Sequence, residues 1–497
     1  MIYYAFSLLG LPHTKTFTMK KNYSILKSVL IILSVIVWPS MMSAQDKGID
    51  LRGAWMGSIK VQGTELRLVM QVAFNETDSM IVTFDSPDQG AKGIPTSKVI
   101  LRKDSVFITS KKIGGNFTGK INDDHSSIPG LWKQGGMSFP LIFNRQERPV
   151  IVNRPQEPKP PYPYRSEDIS FTNASGGFDL AGTLTVPDQA GRYPAAILIS
   201  GSGPQNRDEE LAGHKPFMVL ADYLTRLGMA VLRYDDRGVG RSGGSFNDAT
   251  TADFATDAEA AVNFLKNRKD IDTTRIGFIG HSEGGTVAPI VASQRSDLAF
   301  LILMAAPGLP GEQILMMQSE LISKAEGIDE KTIKTNEKLS RNIYAVLKKT
   351  NDNEKAGQKI RALFIAADKK TASDTAYHRM TEEQISAQVE TLTSPWFRSF
   401  LILDPEEFLS QVKCPLLAVN GSLDLQVPSR ENLQAIEKAM IFGGNANYMV
   451  EELPGLNHLF QTAVTGSPTE YAKIEETISP ALLEIIGGWL KTNILDQ

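Results

Sequence analysis

The run Ile279-Gly280-His281-Ser282-Glu283-Gly284-Gly285 decides how the rest of this chain is read. An apolar, strand-like segment, Arg275-Ile276-Gly277-Phe278-Ile279, leads into it. A helix-like one, Thr286-Val287-Ala288-Pro289-Ile290-Val291-Ala292, leads out. A Gly-x-Ser-x-Gly placed between strand and helix marks a turn so tight that its flanks have no room for side chains. Gly280 and Gly284 stand on those flanks, and His281 lies between the first glycine and the serine. Ser282 is therefore expected in strained backbone with its hydroxyl presented outward, as a nucleophile.

A serine hydroxyl barely ionises at neutral pH, so it needs a base, and the base needs an orienting acid. After a strand–turn–helix nucleophile these follow in the order acid, then histidine. Of the six histidines only His378 and His458 lie downstream of Ser282. No strand that would carry the acid precedes His378. His458 sits in Leu453-Pro454-Gly455-Leu456-Asn457-His458-Leu459-Phe460, directly after the strand-like Tyr448-Met449-Val450-Glu451-Glu452. The acid should end the preceding strand, and Leu416-Leu417-Ala418-Val419-Asn420-Gly421-Ser422-Leu423-Asp424 puts Asp424 there. Glu431 and Glu437 fall in the following helix and are poorer candidates.

The oxyanion of an acyl-transfer intermediate needs preset donors. One is the backbone N–H of Glu283, next to the nucleophile. The other is expected from Ser200-Gly201-Ser202-Gly203-Pro204-Gln205-Asn206-Arg207, with Ser202 preferred and Gly203 in reserve. This loop lacks the Lys-Ser/Thr ending of a phosphate-binding loop. The Gly-rich turn Tyr234-Asp235-Asp236-Arg237-Gly238 reads as structural, with Asp235 and Arg237 expected to pair beneath the serine. The single cysteine, Cys414, allows no intramolecular disulfide and reads as a small buried residue.

Working outward, near-continuous apolar strands alternate with helices from about 169 to 497. They include Ala195–Ile199, Ala230–Tyr234, Phe300–Met304 and Leu416–Val419. That pattern predicts an α/β domain whose mostly parallel sheet is covered on both faces. Residues 308–405 interrupt it with Lys, Glu, Ala and Leu and few strand signals, and read as a helical cap over the strand ends. The cap's methionines and Trp396-Phe397 are candidates for an acyl pocket or for ordinary core. Residues 45–147 alternate apolar and polar in short runs and predict a small all-β barrel or sandwich. Trp55 and Trp132 there are either core or a sugar-stacking platform. Six prolines between 149 and 163 predict a semi-rigid linker over 148–168.

Residues 1–44 carry Lys20, Lys21 and Lys27 before Val29–Trp38, then Met42-Ser43-Ala44. This is the pattern of a cleaved secretory signal, with Met19 a possible true start. Export to the periplasm or the medium is the expectation, with an uncleaved anchor as the alternative. A length of 497 residues fits two or three domains, and a net charge of −4 speaks against a nucleic-acid partner.

Together, Ser200–Asp208, Tyr234–Gly238, Gly280–Gly285 and Asn420–Pro428 resemble the α/β-hydrolase superfamily, and within it exported bacterial carboxylesterases. Asp85-Ser86-Pro87-Asp88-Gln89-Gly90-Ala91 is similar to the β-domain that some of these carry. The resemblance implies a Ser282–Asp424–His458 triad that acts on short acyl esters without metal or cofactor. An aminopeptidase-like serine peptidase is the alternative, which would need an acidic anchor such as Glu382 or Glu383. A third reading makes the β-domain a binding module beside a vestigial hydrolase.

Overall fold

The computed structural model describes residues 50–61, 64–75, 79–87, 91–134, 137–146, 153–371 and 380–496. The segment read as an export signal and His378 lie outside the described residues.

The N-terminal part is one antiparallel sheet of nine strands. These are β1 (Gly53–Val61), β2 (Thr64–Phe74), β3 (Met80–Ser86), β4 (Ala91–Pro95) and β5 (Lys98–Arg102), then β6 (Ser105–Ser110), β7 (Gly115–Lys120), β8 (Ser127–Gln134) and β9 (Met137–Arg145). Their order is β4-β3-β2-β1-β9-β8-β7-β6-β5. Strict alternation drives the curl: along β7 every second residue is buried, so one face is apolar and must close on itself. Phe84, Phe117, Trp132 and Phe143 meet in a single core. Phe84 meets Trp132 edge-on at 5.3 Å, and Phe117 meets Phe143 at 4.9 Å. The two edges approach each other through Thr96 and Ser97, whose Oγ1 and N–H donate to the carbonyls of Val82 and Thr109. One continuous curled sheet makes this an incomplete barrel and not a sandwich. Trp55 and Trp132 are core, with Nε1 atoms donating to Leu51 O and Gln134 Oε1, so the stacking platform is excluded.

The larger part is an eight-stranded sheet between helices. In chain order come β10 (Tyr164–Asn173), β11 (Phe178–Pro187), β12 (Tyr193–Ile199), α1 (Pro216–Arg226), β13 (Ala230–Tyr234), α2 (Thr251–Lys266), β14 (Ile271–His281), α3 (Gly284–Gln294) and β15 (Leu301–Met304). Five cap helices follow: α4 (Gly311–Ala325), α5 (Glu330–Lys349), α6 (Asn353–Thr371), α7 (Glu382–Leu392) and α8 (Pro395–Ile402). Then come α9 (Glu406–Leu409), β16 (Leu416–Gly421), α10 (Ser429–Phe442), β17 (Tyr448–Leu453) and α11 (Pro480–Leu490). The sheet order is β10-β11-β13-β12-β14-β15-β16-β17, parallel from β13 onward. Strands such as β12 and β15 are apolar on both faces because helices cover both, giving one core beneath α2, α3 and α10 and another beneath α1 and α11. This is an α/β-hydrolase fold with a helical insertion, preceded by the β-unit. The cap has its own apolar core around Ile343, Tyr344, Ile360 and Phe397.

The linker differs from expectation. Strand β10 already begins at Tyr164, inside the stretch assigned to a spacer. Upstream of it the chain is pinned to the hydrolase body. The buried Arg154 guanidinium donates to the carbonyls of Ala212, Gly213, Ala472 and Ile474 at 2.8–3.2 Å. Gln156 bonds Thr477 N and Ile478 O. Loop carbonyls that no strand or helix pairs need donors, and this stretch supplies them.

Candidate active site

Ser282 closes β14 and opens α3. Its φ is +52°, a left-handed conformation costing of order 1–3 kcal/mol for a residue with a Cβ. The surroundings enforce it. A Cβ at Gly280 would lie 2.2 Å from Gly284 O, and one at Gly284 would lie 2.1 Å from Ile199 O. Ser282 N donates to Met304 O at 2.8 Å, and Ser282 O accepts from Gly285 N at 2.9 Å. The side chain stays partly open to solvent, and its hydroxyl has no hydrogen-bond partner among the described residues.

Asp424 and His458 come from the ends of neighbouring parallel strands, β16 and β17. His458 Nδ1 lies 2.7 Å from Asp424 Oδ2, and both side chains are buried. The other carboxylate oxygen, Oδ1, accepts from Gln426 N at 2.8 Å and Val427 N at 2.9 Å, which locks the acid's direction. The His458 loop is held from within. Asn457 Oδ1 accepts from Leu459 N and Gln461 N, and Phe460 takes φ +58° to complete the turn. A carboxylate on Nδ1 keeps that nitrogen protonated and leaves Nε2 as the basic atom.

The loop between Ser200 and Gly203 is set by two acids, the half-buried Asp236 and the buried Glu209. Asp236 accepts from Ser200 Oγ at 2.8 Å and Gln205 N at 2.9 Å, while Glu209 Oε1 accepts from Gly201 N at 2.6 Å. A Cβ on Gly201 would lie 3.1 Å from Ser282 Cβ, so this backbone runs alongside the serine. Gly203 takes φ +100°. Among the described residues the N–H groups of Ser202 and Glu283 have no partner, so both are free to meet an anion. Burial pushes the Asp236 carboxyl well above the ordinary range, aided by the Glu209 and Glu283 charges and opposed by its bonds to Gln205 and Ser200.

Two features were not legible beforehand. The Glu283 side chain is buried, accepting from Thr251 Oγ1 at 2.7 Å and from Trp396 Nε1 at 2.8 and 3.0 Å. Burial raises its carboxyl to about 7, against the pull of Thr251 and Trp396. Of the cap residues considered for a pocket, Trp396 touches the elbow, whereas Phe397 belongs to the cap's own core. The expected Asp235–Arg237 pair does not form. Asp235 pairs with Arg207 at 2.7 Å, and Arg237 turns away to Asp257, also at 2.7 Å. Burial pushes the Cys414 thiol up to about 11, leaving it a poor nucleophile. Among the described residues no group of three or more His, Cys, Asp or Glu is placed to hold a metal ion.

Sheet, elbow, cap and strand-end loops define the class: the chain has the α/β-hydrolase fold and is a hydrolase. Residues 215–387 match the family described as serine aminopeptidase, S33. Esterase EstD of Thermotoga maritima is 24% identical over 379 residues, which cover 71% of this chain and 79% of that protein. Dipeptidyl peptidase 8 of Homo sapiens is 32% identical over 154 residues, 29% of this chain and 17% of that one. A solved structure of the Pyrococcus furiosus esterase Pf2001 aligns with 69% of this chain and 98% of its own at 17% identity, with a TM-score of 0.41.

Proposed function

We propose that Ser282, His458 and Asp424 are a catalytic triad that hydrolyses carboxylic esters with short acyl groups. The observation that carries this reading is the buried 2.7 Å contact between His458 and Asp424, on loops at the same sheet end as the strained Ser282. In the reaction Ser282 Oγ attacks the ester carbonyl as His458 Nε2 takes its proton. The tetrahedral oxyanion is met by the N–H groups of Glu283 and Ser202. The intermediate collapses, His458 returns the proton to the leaving alkoxide, and an acyl-enzyme remains. Water, deprotonated by His458, then attacks the acyl carbon and restores Ser282. The bond between Ser282 and His458 forms as substrate arrives, since catalytic hydrogen bonds tighten in the reacting complex. The likeness to Esterase EstD, over most of both chains, supports the ester as substrate. By the reading of its N-terminus, the enzyme works outside the cytoplasm.

A peptidase reading draws support from the description of the matched family. It needs a free acid to hold a substrate ammonium. Glu382 is paired with Arg361, Glu383 is exposed in the first turn of α7, and Glu283 is occupied by Thr251 and Trp396. The likeness to Esterase EstD tips the reading to esters. The test is turnover of short-chain p-nitrophenyl esters beside aminoacyl p-nitroanilides, with fluorophosphonate labelling. Ester turnover and labelling that vanish in Ser282→Ala are expected. Faster anilide turnover would favour the peptidase, and equal activity in Ser282→Ala would defeat both.

A further inference from the structure

Glu209 and His281 lie outside the triad, yet they join its parts. Glu209 is buried on a left-handed backbone at φ +49°. Its Oε1 takes the Gly201 N–H at 2.6 Å and lies 2.8 Å from His281 Nδ1. The opposite ring nitrogen, His281 Nε2, lies 2.9 Å from the carbonyl oxygen of His458. The two imidazole rings are 4.9 Å apart between centroids. Gly201 precedes the oxyanion donor Ser202, and His281 precedes the nucleophile. One side-chain pair thus touches the oxyanion loop, the elbow and the backbone of the base.

Proton counting defines the state of the pair. A carbonyl oxygen only accepts, so His281 Nε2 must carry hydrogen. Nδ1 faces a carboxylate oxygen, and a neutral imidazole has only one N–H. Satisfying both contacts takes one proton more than a neutral ring and a carboxylate possess. Imidazole is the stronger base and keeps it. The charged groups facing this ring are Glu209, Asp424 and, when protonated, His458. Burial opposes the charge, but Glu209, the His458 carbonyl and Asp424 outweigh it and hold the ring above its ordinary value.

We propose that Glu209 and His281 are positioning residues: an imidazolium–carboxylate pair that clamps oxyanion loop, elbow and base together and sets the basicity of His458. The proposal rests on the triad reading above. Neither residue touches the reacting atoms. Removing His281 alone would leave Glu209 as an uncompensated anion near His458 and make that base harder to deprotonate.

The test uses the full chain as wild type, Glu209→Gln, His281→Gln and the double variant, each assayed with a short-chain p-nitrophenyl ester. Each single variant is expected to lose about tenfold or more in kcat, with KM within about twofold. The acid limb of the pH profile should move to higher pH in His281→Gln, and the double variant should be no worse than the poorer single. Wild-type kcat with an unmoved pH profile in both singles, or losses that multiply in the double, would overturn the clamp. A readout free of turnover guards against misfolded variants: nitrogen-15 NMR of the His281 ring in inert Ser282→Ala protein. Two protonated ring nitrogens are expected to persist above the pH at which free histidine loses its proton. A neutral ring there refutes the proposal whatever the kinetics. Conversely, a wild type that neither labels nor hydrolyses esters sinks the triad reading and leaves the NMR result standing.

Discussion

The indole N–H of Trp396, at the start of α8, lies 2.8 and 3.0 Å from the two carboxylate oxygens of Glu283. Glu283 directly follows Ser282, so a cap side chain is bonded to the residue whose backbone N–H is proposed to meet the oxyanion. No cation pairs with this carboxylate among the described residues, and Thr251 Oγ1 is its other donor.

This isolation makes stability depend on pH. Glu283 has its carboxyl raised to about 7 in the folded protein, above the ordinary 4.5. Between those values the native state holds a proton that the unfolded chain has lost, so native stability falls as pH rises from about 4.5 to 7. The total is roughly 3 kcal/mol. Glu283→Gln keeps an Oε1 that can accept from both Thr251 and Trp396, and it carries no charge. Denaturation of both proteins at acid and alkaline pH should show the variant gaining on wild type as pH rises. A gap that stays constant would count against the burial argument.

Asp424→Asn should leave the loop folded, since an amide oxygen still accepts from Gln426 N and Val427 N. It removes the anion that holds His458 Nδ1 protonated. Ester kcat should fall by about 10³–10⁴ with little change in KM. A loss below tenfold would mean that another acid orients the base.

Arg237 and Asp257 are both buried, and Arg237 also spans Asp253 O and Thr256 Oγ1. Arg237→Leu strands the carboxylate of Asp257 with Asn173 as its remaining strong donor. Urea denaturation should report a loss of about 3–5 kcal/mol.

In the β-unit, Trp132 fills the space left by Gly115, whose Cβ would lie 2.4 Å from the Trp132 ring. Trp132→Ala should cost about 3–5 kcal/mol through the cavity it opens. Differential scanning calorimetry should show the loss, and glycan arrays should show no tryptophan-dependent binding.

The elbow turn, the strand-end places of Asp424 and His458 and the cap were legible because each rests on a local pattern. Glycines flank Ser282, Asp424 and His458 each follow a strand, and a strand-poor stretch lies between two strands. Ion-pair partners were not legible. Arg237 chose Asp257 across a helix, and Asp235 chose Arg207 from another loop, so neither choice is written in the Asp-Asp-Arg-Gly turn. Glu209 reads as one more charge in a polar loop, and only long-range packing buries it beneath His281. Strand β10 escaped notice because the linker prolines run up to Pro163 and its own residues are largely polar.

Strands β15 and β16 pair directly, Leu301 beside Leu416 and Met304 beside Val419, although all five cap helices lie between them in the chain. The polypeptide leaves and re-enters the sheet through adjacent doorways. The roof can therefore be lengthened, trimmed or replaced without respacing Ser282 and Asp424. Selectivity and reactivity are separable traits in this architecture, so a change of preferred substrate need not be a change of machinery.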